Sequence, residues 1–413
     1  MTDFIIDVFP DHRTSTIEHP PSILPHPLSL HMPLRIITRS ILALMRDSRS
    51  IGILLLLCTI ISLVCANLPG GDAYAGFWKM EFSWLHTSYL PHSIEHWIND
   101  GLMVIFFFLA GMEIRQELLD GELSSISKAT LPVAAAIGGM LVPAFIYAIF
   151  NKGTPFAGGW AIPASTDIAF SLGIASLLGK RVPVSLKIFL TALAIIDDLG
   201  AIVVIALFYG EPVQVFYLLG AAAVIAVLYL LNRQQVKFGL LHIALGILLW
   251  FAVFNSGIHA TVAGVIFAWM VPASKLDNFK HRLHYPVNFL IVPIFALANT
   301  AILLPDNAIG ALNSSLSWGI IFGLVIGKPV GILLASWLVV KNKKAVLPQQ
   351  VSWMQLAGAG LLAGIGFTMS IFIAVLAFAD TAIQDQAKMA ILVASITAIV
   401  LSMVWLRWFG KAR

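Results

Sequence analysis

Charge is what this sequence lacks. Only 11% of its 413 residues are Asp, Glu, Lys or Arg, where a soluble globular domain carries about 25%. A water-facing surface is built from such side chains, so an ordinary soluble fold is excluded. Cysteine is scarce as well. Cys58 and Cys65 are the only two and share one apolar run, which excludes a disulfide framework. The formal net charge of +4 is too small to suggest a nucleic-acid partner. What the chain does have is apolar residues, at 59%, with a mean hydropathy of +0.90. They come in long runs, unlike the alternating strands of an outer-membrane barrel. The composition therefore points to an all-α polytopic membrane protein in a lipid bilayer.

A bilayer core about 30 Å thick is crossed by about 20 helical residues. Twelve apolar runs meet that need, at roughly 51–67, 97–114, 130–151, 159–179, 186–209, 214–231, 239–255, 257–273, 287–304, 316–340, 354–378 and 389–408. Twelve transmembrane helices put both termini on one side. Of the 25 basic residues, Lys79, Lys152 and Lys388 fall in links on one side and Lys328 lies within a span. All the others fall on the opposite side, so the positive-inside rule places both termini in the cytoplasm. Residues 1–40 read as a disordered cytoplasmic tail or an over-extended start, with residues 41–413 carrying the spans. The link at 68–96, with Trp78, Trp84 and Tyr89, reads as an interfacial segment or as a hairpin making a dimer contact.

The fourth and eleventh runs are interrupted. Pro163 breaks Gly159–Ile168, and four glycines crowd Gly358–Gly366. Paired breaks in corresponding halves of a membrane chain point to a transporter's midplane site. Charge lies nearby. Asp197 and Asp198 sit about ten apolar residues from either end of the fifth run, at the bilayer midplane, where an ionised group costs at least ~3 kcal/mol. Lys328 is the midpoint of the tenth run, too deep to snorkel; it reads as a counter-ion for one aspartate, or as a structural charge facing a helix end. Asp167 follows Ser165 and Thr166 inside the fourth run, where it either caps a half-helix or lines a cavity.

Two like charges about 4 Å apart repel by about 4 kcal/mol at an effective dielectric near 20. The pair thus favours holding a single proton. A small hard cation suits the same oxygens. Proton and cation neutralise one charge and so exclude each other. Such a site, opened alternately to each side, exchanges one for the other.

Three runs, Ala164–Phe170, Ala192–Ala201 and Ile326–Pro329, together resemble the NhaA family of bacterial sodium–proton antiporters. Trp97–Asp100, Gly111–Leu118, Ser256–Gly264 and Gly364–Phe372 extend the resemblance, in family order, from about residue 40 onward. It implies twelve transmembrane helices with inverted repeats, two interrupted helices (fourth and eleventh) crossing at the midplane. It also implies electrogenic exchange of Na+ or Li+ for H+ across the cell inner membrane, regulated by pH. Asp198 is then the principal Na+ ligand, with Asp197 beside it as a second Na+ ligand that pairs with Lys328 when no cation is bound, and Asp167 and Thr166 in support. Homodimers are implied too, and no cofactor. For pH regulation the resemblance implies Glu113, Arg115 and Glu117, although Gln116 stands where a base is usual. The stretch Lys280–Pro286 lacks the acid often found before its histidines. His259 has a side chain suited to pH response, and it also reads as a packing residue.

Two other functions were weighed. A cation-coupled transporter of an organic solute needs a roomier polar pocket than Thr166, Thr191 and Thr368 suggest. An intramembrane aspartyl protease needs its two aspartates on different helices, and Asp197 and Asp198 share one. An enzyme is not expected.

Overall fold

The computed structural model describes residues 48–82, 89–305, 307, 310 and 312–410. The expectation about residues 1–40 lies outside them, as does Trp84. Among the described residues the chain is helical. It has no strand, only an isolated bridge between Glu81 and Ser93. Helices are what an apolar environment permits, since every backbone donor and acceptor is paired within the segment.

The first helices are α1 (Ser48–Asn67), the short external α2 (Gly71–Trp78) and α3 (Ile94–Asp120). After α4 (Ile126–Asn151) comes a tight 3-10 segment, Ala157–Ala164, then α5 (Ile168–Leu177) and α6 (Val184–Phe208). The middle of the chain forms α7 (Val215–Arg233), α8 (Leu240–Phe254), α9 (Val262–Met270), α10 (Leu276–Pro286) and α11 (Val292–Asn299). The last elements are α12 (Ser315–Lys341), α13 (Trp353–Ala363), α14 (Phe367–Ala377) and α15 (Thr381–Phe409).

Eight of these stretches, the 3-10 segment with α5 among them, are long and apolar enough to cross a bilayer, or up to nine if α13 and α14, bent by 46° at their junction, count as one. Their flanks are greasy in the way lipid contact requires. On α1, for example, Leu57, Ile60 and Ile61 are exposed while Leu55 is buried.

Small residues set how closely the helices approach, as they do where lipid supplies no hydrophobic drive for association. α4 and α12 meet at Gly138 and Gly331. A Cβ on Gly331 would lie 2.1 Å from the carbonyl oxygen of Gly138, and one on Gly138 would lie 2.3 Å from that of Gly331. Beside this contact Lys328 is drawn into the protein. α15 packs on α12, α13 and α14, and α3 packs chiefly on α9. α7, α8 and α9 share a smaller apolar cluster of their own around Leu228 and Leu249.

One basic residue is not where the hydropathy pattern put it. Lys388, read from sequence as a residue of a link, lies inside α15 and is buried. The helix starts at Thr381, before the apolar run, because its polar residues face partners. Gln384 donates to the carbonyl of Phe378 at 2.6 Å, and Lys388 lies 3.6 Å from Glu95.

Candidate ion-binding site

Asp197 and Asp198 lie near the middle of α6, and both are buried. Consecutive helical residues point about 100° apart, so the two carboxylates meet different neighbours. Asp197 Oδ2 lies 2.7 Å from Lys328 Nζ, an ion pair in which neither side chain touches solvent. The Thr166 hydroxyl donates to the same oxygen at 2.7 Å, or alternatively to the carbonyl of Ala363 at 2.9 Å; its single proton serves one at a time. Lys328 also donates to the carbonyl of Ala164, where the 3-10 segment ends. One ammonium thus offsets a carboxylate and the negative end of a short helix.

Asp198 is different. Among the described residues it has no hydrogen bond and no ion pair, and its Oδ1 is fully buried without a partner. Asp197 Oδ1 is likewise unpartnered. A buried ionised oxygen with nothing to hold it is costly, so such a group takes up a proton or a cation. Among the described residues no three His, Cys, Asp or Glu side chains converge as a metal cage.

Asp167 knots the two breaks together. It caps α5, its Oδ1 accepting from Phe170 N at 3.1 Å. Its Oδ2 accepts from Thr368 N at 3.1 Å and from the Thr368 hydroxyl, at the start of α14. Its own backbone N–H donates to Ile365 O at 2.7 Å, between α13 and α14. Ser171 reaches Leu362 O at 2.9 Å, and the hydroxyls of Ser165 and Ser370 are 3.2 Å apart. The orphaned backbone groups of each break are satisfied by the other, as buried backbone requires.

Asp167, Thr166, Asp197, Asp198 and Lys328 are therefore one cluster. Glu113 is on α3, which packs against α6. The other expected regulatory residues make their contacts elsewhere. Arg115 donates to the carbonyls of Ala268, Trp269 and Val271, closing the C-terminal end of α9. Glu117 Oε2 accepts from Glu122 N at 2.9 Å. Gln116, where a base was looked for, bridges Asp277 and Lys280. Asp277 supplies an acid one turn before the stretch that seemed to lack one.

His259 sits toward the opposite end of α3. Its Nε2 lies 3.0 Å from Asp100 Oδ1, and His96 Nε2 lies 2.8 Å from Asp100 Oδ2. Asn299 donates to Asn99 at 3.0 Å beside them. Asp100 ends the Trp97–Asp100 motif of the family resemblance, but no role was expected of it or of Glu95. His96 and Asp100 are four apart on one helix, a spacing that does hint at a pair. Nothing local links either to His259 or Lys388.

Comparison with known proteins bears on what this cluster is for. The profile of the family described as "Na+/H+ antiporter 1" matches residues 43–406. A Na+/H+ antiporter NhaA of Cytophaga hutchinsonii is 48% identical over 369 residues, covering 88% of this chain and 94% of that protein. One from Dechloromonas aromatica is 50% identical over 375 residues, covering 88% and 95%. One from a Sulfurovum species is 46% identical over 372 residues, covering 86% and 94%. The match takes in every residue of the cluster, and the chain belongs to the Na+/H+ antiporter 1 family.

Proposed function

We propose that this chain exchanges sodium or lithium for protons across a bacterial inner membrane, by competition for Asp198. The observation that carries this reading is the contrast between two adjacent buried carboxylates. Asp197 has its charge met by Lys328 at 2.7 Å, while the buried Oδ1 of Asp198 has no hydrogen-bond partner among the described residues. Asp198 is then the principal cation ligand, reached by a proton from one side and by Na+ or Li+ from the other. Asp197 stays neutralised in the pair with Lys328 and steadies the field around its neighbour. Thr166 and Asp167 hold the breaks in register.

In this reading the shorter helices complete twelve spans with inverted repeats. The 3-10 segment with α5, and α13 with α14, are the two interrupted helices crossing at the midplane. Both termini are cytoplasmic. Alternating access carries each occupant across, and more protons move than sodium ions, so exchange is electrogenic. Glu113, on α3 packed against α6, is the member of the set Glu113, Arg115, Glu117 and His259 best placed to couple cytoplasmic pH to the site. The working unit is a homodimer with no cofactor.

The test is a dye reporting ΔpH in energised everted vesicles. Sodium or lithium, but not potassium, is expected to collapse ΔpH, and Asp198→Asn to abolish the response. Full exchange by Asp198→Asn would remove the assigned ligand.

A further inference from the structure

At the outer end of the molecule, the side away from both termini in the orientation proposed above, two layers of contact stand over the site. In the upper layer Lys388 Nζ lies 3.6 Å from Glu95 Oε1 and 3.7 Å from Asp385 Oδ1. Lys388 is buried. Beneath it the Phe372 ring meets Phe107 at 5.3 Å, His259 edge-on at 5.5 Å and Phe295 at 6.2 Å between centroids. Phe107, Phe295 and Phe372 are all fully enclosed. Phe372 is one helical turn beyond Thr368, the partner of Asp167. The rings therefore lie between the crossing and the outer ends of α3 and α14.

Both layers join α3 to helices with which it shares few other direct contacts. Glu95 and Phe107 are on α3, which packs chiefly on α9. Lys388 and Phe372 are on α15 and α14, which pack on one another, α15 also on α12 and α13 and α14 also on the 3-10 segment and α11. A gap opened between these two sets breaks few contacts within either. Closing it brings together an ion pair and apolar rings, which exclude a hydrated cation. Alternating access needs such a barrier on the outer side whenever the site is open inward.

We propose that the Glu95–Lys388 ion pair, over the Phe107–Phe372–His259 ring layer, is the outer gate of the ion path. It forms when Asp198 faces the cytoplasm and breaks for release outside. This rests on the antiport reading. Removing the Glu95 charge weakens the closed form and leaves Lys388 its Asp385 partner, so the lysine is not stranded.

The expected signature has two sides. An apparent affinity scales with the fraction of protein in the competent form. Glu95→Gln is therefore expected to lower the apparent KM for sodium at the outer face, measured in right-side-out vesicles, by about threefold or more. It should raise the KM at the cytoplasmic face, measured in everted ones. A second protein, with Cys58→Ser, Cys65→Ser, Glu95→Cys and Lys388→Cys, tests closure directly. Bridging its two thiols with a short, reducible bifunctional reagent should cut exchange at least about tenfold, with recovery on reduction; this is the scale of a barrier that must open in every cycle.

Unchanged KM values on both faces in active Glu95→Gln would overturn the gate and leave the antiport reading standing. So would undiminished exchange by the bridged protein. Absence of sodium-dependent exchange in wild-type vesicles would overturn the antiport reading and the gate with it.

Discussion

Lys328 and Asp197 answer for each other in a place where neither is tolerated alone. Removing one partner of a buried ion pair typically costs 3–5 kcal/mol, because the other charge is left uncompensated. Lys328→Met should therefore lower stability in detergent by about that amount. The double variant Lys328→Met with Asp197→Asn should recover most of the loss, as read from thermal unfolding. If the single and double variants unfold alike, the pair is not what holds these helices. Asp198 contrasts with both: with its Oδ1 unpartnered among the described residues, it is expected to tolerate Asn with little loss of stability while losing exchange. That split between stability and activity is what separates an ion-binding residue from a structural one. The acidic pair was legible in the sequence because two aspartates in a long apolar run have no innocent explanation. Which of the two holds the lysine was not legible in the residues themselves, since that depends on the rotation of α6 about its axis; only the family resemblance pointed to Asp197.

At the level of elements, the site depends on how tightly α4 and α12 meet. Gly331→Val places branched carbons where a Cβ already comes within 2.1 Å of Gly138 O. Overpacking of this kind costs about 1–3 kcal/mol. It should also push Lys328, one turn away, off Asp197. A lower unfolding temperature together with weakened exchange is expected. Gly220 on α7 has open space around it, so Gly220→Ala should be neutral or slightly stabilising, by up to about 1 kcal/mol. Equal effects of the two changes would mean the close approach is not what matters. Helix existence was readable from hydropathy, whereas helix ends were less so. α15 begins well before its apolar run because inward-facing Gln384 and Lys388 find partners there. α10 carries a polar stretch, Leu276–Pro286, that hydropathy had left outside the ninth span.

Across the whole molecule, the proposed orientation rests on the distribution of basic residues. Lys152 follows α4, and Lys344 follows α12, on what should be opposite faces. A cysteine at Lys344 is expected to react with an impermeant thiol reagent only in everted vesicles, and one at Lys152 only in right-side-out ones. The reverse pattern would invert the proposed direction of exchange. By itself the sequence determined the membrane class, the presence of long apolar helices and the few charges that fall within apolar runs. Each of these follows from a local property, the cost of placing a given side chain in lipid, that a short window of residues already carries. The tertiary structure alone decided that Thr166 reaches Asp197, that Thr368 closes on Asp167, that His259 meets Asp100 and that Lys388 meets Glu95. These contacts join residues on separate elements, and no local preference encodes them. They exist because buried polar groups must be paired, and only packing determines which partners come within reach.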